Sequence, residues 1–190
     1  MIVHVPAWVD GRLVPVEKIE VHRRGLRHKA VSVFVLAGDA ILIQQRAAGK
    51  YHTPGLWTNT CCTHPGWNET AEVCAIRRLR EEVGITGVVP QYRGQAEYRA
   101  EVGGGLIEHE VVDLFTVEAC ADIAFAPDPA EVAATRWISL ARLEGEVQVH
   151  PEAFTPWLRI YLDRFRDTLF GEITGLQATI RENRRPPPPG

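Results

Sequence analysis

The sequence has no long hydrophobic run and no strong excess of charge of one sign. No stretch approaches the roughly 18 consecutive apolar residues of a membrane-spanning helix, and no basic segment with a long apolar run behind it stands near Met1. Neither export nor membrane insertion is indicated, and we expect a cytoplasmic protein. A formal net charge of −3 gives no general reason to expect nucleic acid or a membrane surface as a partner.

Cysteines are few, and their spacing does not complete a common zinc motif. We expect the thiols of a cytoplasmic protein to be reduced. Cys61, Cys62 and His64 could form part of a structural zinc site, but the second ligand pair of a zinc finger is missing, so this interpretation is the less favoured one. The chain also lacks an internal repeat.

A chain of 190 residues with 45% hydrophobic content can bury one full core. We predict a single domain over residues 1–182 and a disordered proline-rich tail over residues 183–190. A turn at Asp10-Gly11 predicts an early hairpin, followed by an irregular basic stretch from Lys18 to Lys29. Further strands are predicted for residues 30–36, 40–45, 88–100, 106–117 and 135–140. A last helix is predicted to start at Thr155-Pro156, with the threonine as N-cap and the proline at the first helical position.

An amphipathic helix is predicted in the stretch from Pro54 to Ile85. Its apolar residues recur at three- and four-residue steps, its predicted N-cap is Asn68 and its stop is Gly84; the apolar positions are Val73, Ile76, Leu79 and Val83. Arg78 and Glu82 lie four residues apart and share a face. From spacing alone they form either a surface ion pair or a pair that faces a metal and a phosphate.

The same stretch nearly matches the Nudix box, G-x5-E-x7-R-E-U-x-E-E-x-G-U, where U is aliphatic. Two positions depart from it: Thr63 replaces the leading Gly, and Arg78 replaces a Glu of the helix. Nudix hydrolases use the carboxylates of this helix to hold divalent ions, so the reversed charge argues against hydrolysis. An arginine is well suited to binding a diphosphate that stays intact. The matching positions are Glu69, Arg77, Leu79, Glu81, Glu82, Gly84 and Ile85.

The run PGLWTNTCCTHP followed by this modified box resembles type 1 isopentenyl-diphosphate isomerase, and the resemblance extends from about Lys18 to Trp157. The resemblance implies an α/β (α+β) fold, a Nudix-like α/β/α sandwich with a mixed central sheet. It also implies the interconversion of isopentenyl and dimethylallyl diphosphate in isoprenoid biosynthesis. The partner would be this small molecule, and we expect a monomer or a weak dimer.

The resemblance further implies a metal site. In the run IEHEVV, Glu108 and Glu110 share one face of a strand, which alone is equally consistent with a metal site and with an exposed edge. The family places metal-binding histidines at positions that match His22, His28 and His64. Such a mixed nitrogen and oxygen set suits Mg2+, Mn2+ or Zn2+.

The remaining roles also follow from the resemblance. Proton transfer is assigned to Cys62 on one side of the substrate and to Glu108 with Tyr98 on the other, and Trp157 would face the developing carbocation. Glu82 would bind a second ion, Mg2+ carried in with the diphosphate. The cations that surround the diphosphate are Lys18, Arg46, Lys50 and Arg78. The histidine at position 52 matches no role and is interpreted as a loop residue.

Two other hypotheses remain. A Nudix pyrophosphohydrolase acting on a nucleotide or an isoprenoid diphosphate would release phosphate or pyrophosphate. A binding module without catalysis would keep its role when the metal ligands are removed.

Overall fold

The computed structural model describes residues 3–171. The predicted tail at residues 183–190 and the end of the predicted domain lie outside this range. The named elements are β1 His4–Val9, β2 Arg12–Glu17, α1 Lys18–Arg24, β3 Arg27–Ala37, β4 Ala40–Arg46, β5 Trp57–Thr58, β6 Cys61–Thr63, α2 Ala71–Val83, β7 Gln91–Glu101, β8 Ile107–Glu118, β9 Val132–Ser139, α3 Leu140–Val149, a 3-10 turn Pro151–Ala153, and α4 Pro156–Arg164.

Strand β3 is the centre of a mixed sheet. It runs parallel to β8 along one side, and on the other side it pairs antiparallel with β1, β6 and β4 in turn. β7 continues the sheet beyond β8, while β5 and β9 both pair with β4. The long β3–β8 pairing fixes the register of the side chains that face each other across the sheet centre.

Helices cover both faces of this sheet. On one face, α2 packs on Val31, Val33 and Val35 of β3; on the other, α4 packs on Phe34 through Tyr161. Odd and even residues of β3 thus enter two separate cores, as the alternation of side chains along a strand requires. This arrangement confirms the predicted α/β/α sandwich with a mixed sheet.

One local prediction near the N-terminus was wrong. The basic stretch after β2 is not irregular: it forms α1, because the Glu17 carboxylate accepts hydrogen bonds from Ile19 N and Glu20 N and Gly25 closes the helix in a left-handed conformation. The sequence did not indicate this helix, because most of its side chains are charged. Its buried residues are Val21 and a histidine, His22, so no apolar stripe marks it.

Helix α2 is present and ends at Gly84 as predicted, but its start and its buried face differ. Thr70 is the N-cap and accepts from Val73 N, whereas Asn68 adopts a left-handed turn with φ 68°. Val73 and Ile76 are exposed. The buried face instead carries small residues, which let the helix approach the sheet closely, together with one carboxylate; its members are Cys74, Ala75, Leu79, Glu82 and Val83.

The C-terminal helix agrees better with its pattern. α4 begins at Pro156, directly after Thr155, and buries Trp157, Leu158 and Tyr161. Thr155 differs from a usual N-cap because its hydroxyl donates to Thr58 Oγ1 (3.1 Å) and ties the helix start to β5.

Candidate active site

Strand register aligns three of the predicted site residues in one row. His28 on β3 lies opposite Glu110 on β8, and Glu110 lies opposite Tyr98 on β7. Neighbouring strands are about 4.8 Å apart, so these side chains meet on the same face of the sheet. Two residues earlier on β8, Glu108 points to the same side and is also buried.

Two imidazoles are held in a defined tautomer by the backbone. His22 Nδ1 lies 2.6 Å from the Lys18 carbonyl oxygen, within α1, and His28 Nδ1 lies 2.7 Å from the Leu26 carbonyl oxygen. A carbonyl only accepts, so each Nδ1 carries the proton and each neutral ring keeps a lone pair on Nε2. Burial lowers the pKa of His22 to about 4, which favours that neutral form.

Imidazole nitrogens and one carboxylate oxygen converge at this end of the row. His28 Nε2 lies 3.2 Å from His64 Nε2 and 3.6 Å from Glu110 Oε1, and His64 Nε2 lies 2.9 Å from the same carboxylate oxygen. One ligand atom from each of His22, His28, His64 and Glu110 lies within 4.8 Å of every other. Several acceptors this close repel each other unless a cation lies between them, so the donor set fits a divalent ion.

Glu108 belongs to a second, overlapping group. Its possible ligand atom lies within 4.8 Å of those of His22 and His52, but it does not belong to the group of four described above. Glu108 Oε2 lies 3.1 Å from the Tyr98 hydroxyl, which also lies 2.6 Å from Glu110 Oε2. Burial first, and then the negative charge of Glu110, raises the pKa of the Glu108 carboxyl well above its ordinary value.

The two adjacent cysteines face opposite ways, as expected for an extended segment. Cys61 is fully buried in the core under α2, while Cys62 packs toward the α4 side and lines the cavity of the site. Burial first, and then the carboxylates of Glu110 and Glu108, raises the pKa of the Cys62 thiol well above its ordinary value. This thiol therefore holds its proton at neutral pH.

Positive charge gathers at the other end of the cavity. Burial first, and then the cations of Lys50 and Arg78, lowers the pKa of Lys18 to about 8. Arg78 donates to Glu82 Oε1 (2.6 Å), so the pair on α2 faces the site and not bulk solvent. Glu131, a residue with no predicted role, forms ion pairs with both Lys50 and Arg78.

Arg46 is held by the protein itself. Its guanidinium donates to the carbonyl oxygens of His52 (3.1 Å) and Thr53 (3.2 Å) and lies over the Trp157 ring, 5.2 Å from the ring centroid. The Trp157 indole N–H donates to Thr58 Oγ1 at 2.7 Å. The indole ring is thus fixed by β5 on one side and by Arg46 on another.

The structure brings most of the predicted site residues into one small cavity of about 30 Å3. His22, His28 and Tyr98 do not line it and lie behind it in the buried part of the site. The cavity is lined by Lys18, Arg46, Lys50, Tyr51, His52, Cys62, Thr63, His64, Arg78, Glu82, Glu108, Glu110 and Trp157.

The sequence interpretation missed His52 and Tyr51. His52 is buried, its Nε2 lies 3.2 Å from Glu108 Oε1, and burial first, then Arg46, lowers its pKa to about 2. The Tyr51 hydroxyl lies 3.3 Å from His22 Nε2. The one available signal was position, because both residues follow a predicted substrate lysine, Lys50, just before the Pro-Gly turn.

Comparisons with known proteins identify the class to which this chain belongs. The NUDIX domain model matches residues 26–158. Two solved structures share the fold: a Deinococcus radiodurans protein with TM-score 0.67 and 13% identity over 85% of this chain and 98% of that one, and the MutT protein from Methanosarcina mazei Go1 with TM-score 0.56 and 20% identity over 84% and 96%. The chain is therefore a NUDIX-domain protein.

Curated relatives narrow this class. The chain is 66% identical over 173 residues to the isopentenyl-diphosphate Delta-isomerase of Cereibacter sphaeroides strain ATCC 17025, covering 91% of this chain and 98% of the relative. It is 61% identical to the enzyme of that name from Roseobacter denitrificans, with the same coverage. The protein belongs to the isopentenyl-diphosphate Delta-isomerase family.

Within residues 3–171, none of the helices has the length and apolar character of a membrane span.

Proposed function

We propose that this protein interconverts isopentenyl and dimethylallyl diphosphate by adding a proton to the terminal alkene carbon and removing another proton two carbons away. The alkene is unactivated and the C–H bond that breaks is not acidic in the substrate, so the path runs through a tertiary carbocation-like state. That state requires a proton donor, a base on the opposite side, a wall that tolerates positive charge, and exclusion of water. The observation that carries the proposal is one cavity with buried acid–base groups at one end and cations at the other.

Cys62 and Glu108 are the proposed acid–base groups. The raised pKa of the Cys62 thiol lets it hold a proton, and Glu108 lies within hydrogen-bond distance of the Tyr98 hydroxyl on the other side. Burial also raises the pKa of Tyr98, which keeps this hydroxyl protonated. We therefore assign the second proton transfer to Glu108 and assign to Tyr98 the hydrogen bond that orients it. Trp157 presents its aromatic ring to the cationic state, an attraction of roughly 2 kcal/mol when desolvated.

The proposed metal site adds Glu108 to the group of three histidines and Glu110. His22, His28, His64, Glu108 and Glu110 would hold one divalent ion, Mg2+, Mn2+ or Zn2+, and Glu82 would contact the Mg2+ that accompanies the diphosphate. When bound, these ions supply positive charge that keeps the carboxylates ionised and neutralises the diphosphate. Lys18, Arg46, Lys50 and Arg78 complete this neutralisation, and Arg46 also orients the Trp157 ring.

We also propose a cellular setting and partners for this protein. The four free cysteines suit a reducing cytoplasm. We propose a small-molecule substrate without nucleic acid or membrane partners, and a monomer or a weak dimer, which sedimentation of the purified protein would test.

The activity is tested by proton and phosphorus NMR of the protein with isopentenyl diphosphate and Mg2+ in heavy water. We expect new methyl signals of the dimethylallyl product, deuterium incorporation and an intact diphosphate. Release of phosphate without methyl signals would instead support the hydrolase hypothesis and overturn the roles of Cys62 and Trp157.

A further inference from the structure

The loop between β4 and β5 places one more imidazole in the site, that of His52. Its exposed fraction is 6%, and its ring lies 5.7 Å from the Trp157 ring in an edge-to-face arrangement. Neither the predicted metal set nor the predicted substrate contacts use it. A buried imidazole beside the proposed acid–base carboxylate therefore needs a role.

The neighbours of His52 define which nitrogen carries its proton. Nδ1 lies 3.1 Å from Thr53 Oγ1 and 3.5 Å from Arg46 Nη2. A guanidinium only donates, so Nδ1 of the neutral ring acts as the acceptor. The proton is then on Nε2, which lies 3.2 Å from Glu108 Oε1. His52 thus donates a hydrogen bond to one oxygen of Glu108, while the other oxygen shares the Tyr98 hydroxyl with Glu110.

The same geometry argues against metal binding by His52. A protonated Nε2 has no lone pair for an ion, and Nδ1 faces the positive charge of Arg46. The group formed by His22, His52 and Glu108 therefore differs from the group of three histidines and Glu110, in which Nδ1 of His22 and of His28 carries the proton and leaves Nε2 as an acceptor.

The backbone contacts of this loop hold the His52 ring in place. The Arg46 guanidinium binds the carbonyl oxygens of His52 and Thr53, and Gly55 N donates to the Arg46 carbonyl oxygen at 3.0 Å, which closes the loop. Thr53 has φ 45°, a left-handed conformation that a β-branched residue rarely adopts. Such strain persists only where surrounding contacts impose it, and it concentrates at functional sites.

We infer that His52 is a positioning residue that fixes the orientation of the Glu108 carboxylate for proton transfer. The inference rests on the proposed isomerase function. Glu108 is held at both oxygens, by His52 at Oε1 and by Tyr98 at Oε2, so its plane cannot rotate freely. Loss of one hydrogen bond to a charged group corresponds to a decrease of about 10- to 100-fold in rate.

A pair of amide variants tests this role. In His52→Gln the side-chain amide reaches the position of Nε2 and can still donate to Glu108; in His52→Asn it reaches only the position of Nδ1. We expect His52→Asn to lower kcat for isopentenyl diphosphate by about 10- to 100-fold, with KM within about twofold and bound metal unchanged. We expect His52→Gln to recover most of kcat.

The outcomes are distinct. Equal kcat values for the two variants would show that the hydrogen bond to Glu108 has no role and would overturn the inference. Loss of bound metal in both variants would make His52 a ligand and overturn it as well. The wild-type protein, assayed beside them, separates this test from the proposed function: an inactive wild type refutes the isomerase itself. Thermal unfolding of both variants checks that each one is folded.

Discussion

Arg78 donates to Glu82 Oε1 through both Nε (3.0 Å) and Nη2 (2.6 Å), one turn apart on α2. Arg78 occupies a position where the Nudix box has a carboxylate, and Glu82 is buried on the face of α2 that looks into the site. In the proposed function, this pair would offer a cation for phosphate oxygens and a carboxylate for Mg2+. A cation at this position suits the proposed binding of an intact diphosphate.

The first prediction concerns this arginine. Arg78→Gln should raise KM for isopentenyl diphosphate by roughly 10- to 100-fold with little change in kcat, because it removes a charged hydrogen-bond donor without touching the acid–base groups. Initial rates over a range of substrate concentrations measure both constants. Arg80→Gln, an exposed position on the same helix, is the control and should behave as wild type. A fall in kcat at unchanged KM would show that Arg78 acts in the proton transfer.

The two cysteines provide a matched pair. Cys62→Ala should abolish isomerisation, a loss of at least about 10²- to 10⁴-fold, because no other thiol lines the cavity among the described residues. Cys61→Ala should retain most of kcat and instead lose roughly 1 kcal/mol of stability, since Cys61 is buried in the core beneath α2. Rates and thermal unfolding curves of both variants check this, and the reverse pattern would exchange the two assignments.

Removal of the metal should lower the stability of the protein as well as abolish its activity. Binding of an ion to the native state alone adds about 2.7 kcal/mol of stability at a free concentration 100 times Kd, so dialysis against a chelator should lower Tm and added metal should restore it. His64→Ala should lose the bound ion. His109→Ala changes the same residue type on the opposite face of β8, where His109 pairs with Glu97, and should retain the ion. Elemental analysis measures the metal content of both variants, and equal metal content in the two would contradict the ligand set.

Lys18 should make substrate binding depend on pH. With a pKa lowered to about 8, Lys18 loses its positive charge as pH rises through that value, so affinity for the diphosphate falls and KM rises on the alkaline side. Arginine stays protonated across this range, and Lys18→Arg should therefore show a flatter profile of KM between about pH 7 and about pH 9.5. An identical alkaline rise in both proteins would assign the titration to another group.

The sequence alone was enough to predict some of the helices and strands but not others. The early hairpin, the long strands and the helix starting at Pro156 were predicted, because they follow from the alternation of side chains and from the positions of glycine and proline. The short strands β5 and β6 were not predicted. Helix α1 was missed because a carboxylate cap and a buried histidine, not apolar spacing, define it. The buried face of α2 was misassigned since Cys74 and Ala75 pack more closely than the larger Val73 and Ile76 would allow.

The residues of the candidate site could likewise be predicted only in part. Motif spacing named residues one at a time, and the register of β3, β8 and β7 supplied the row that joins His28, Glu110 and Tyr98. His52 could not be assigned from sequence, because its direction depends on a left-handed backbone at Thr53 and on hydrogen bonds that Arg46 makes to the loop. Such contacts exist only in three dimensions.

Glu131 gives the last prediction, because its carboxylate holds the cations proposed to receive the diphosphate. It forms ion pairs with Lys50 and with Arg78, and these hydrogen bonds lower its pKa although burial opposes the shift, so it is ionised at neutral pH. A negative charge at this place repels the diphosphate and competes for its partners. Glu131→Gln should therefore lower the Kd for inorganic pyrophosphate and the KM for isopentenyl diphosphate severalfold, most strongly at low ionic strength.

Calorimetric titration with pyrophosphate at two salt concentrations measures the effect. Glu144→Gln, which removes a carboxylate paired with Arg166 away from the site, is the control and should leave both constants unchanged. A rise in Kd for Glu131→Gln in the presence of Mg2+, but not in its absence, would instead make Glu131 a ligand of the ion that accompanies the diphosphate. In that case the carboxylate would belong with Glu82 in the metal-binding set, and its contacts with Lys50 and Arg78 would be those of the substrate-free protein alone.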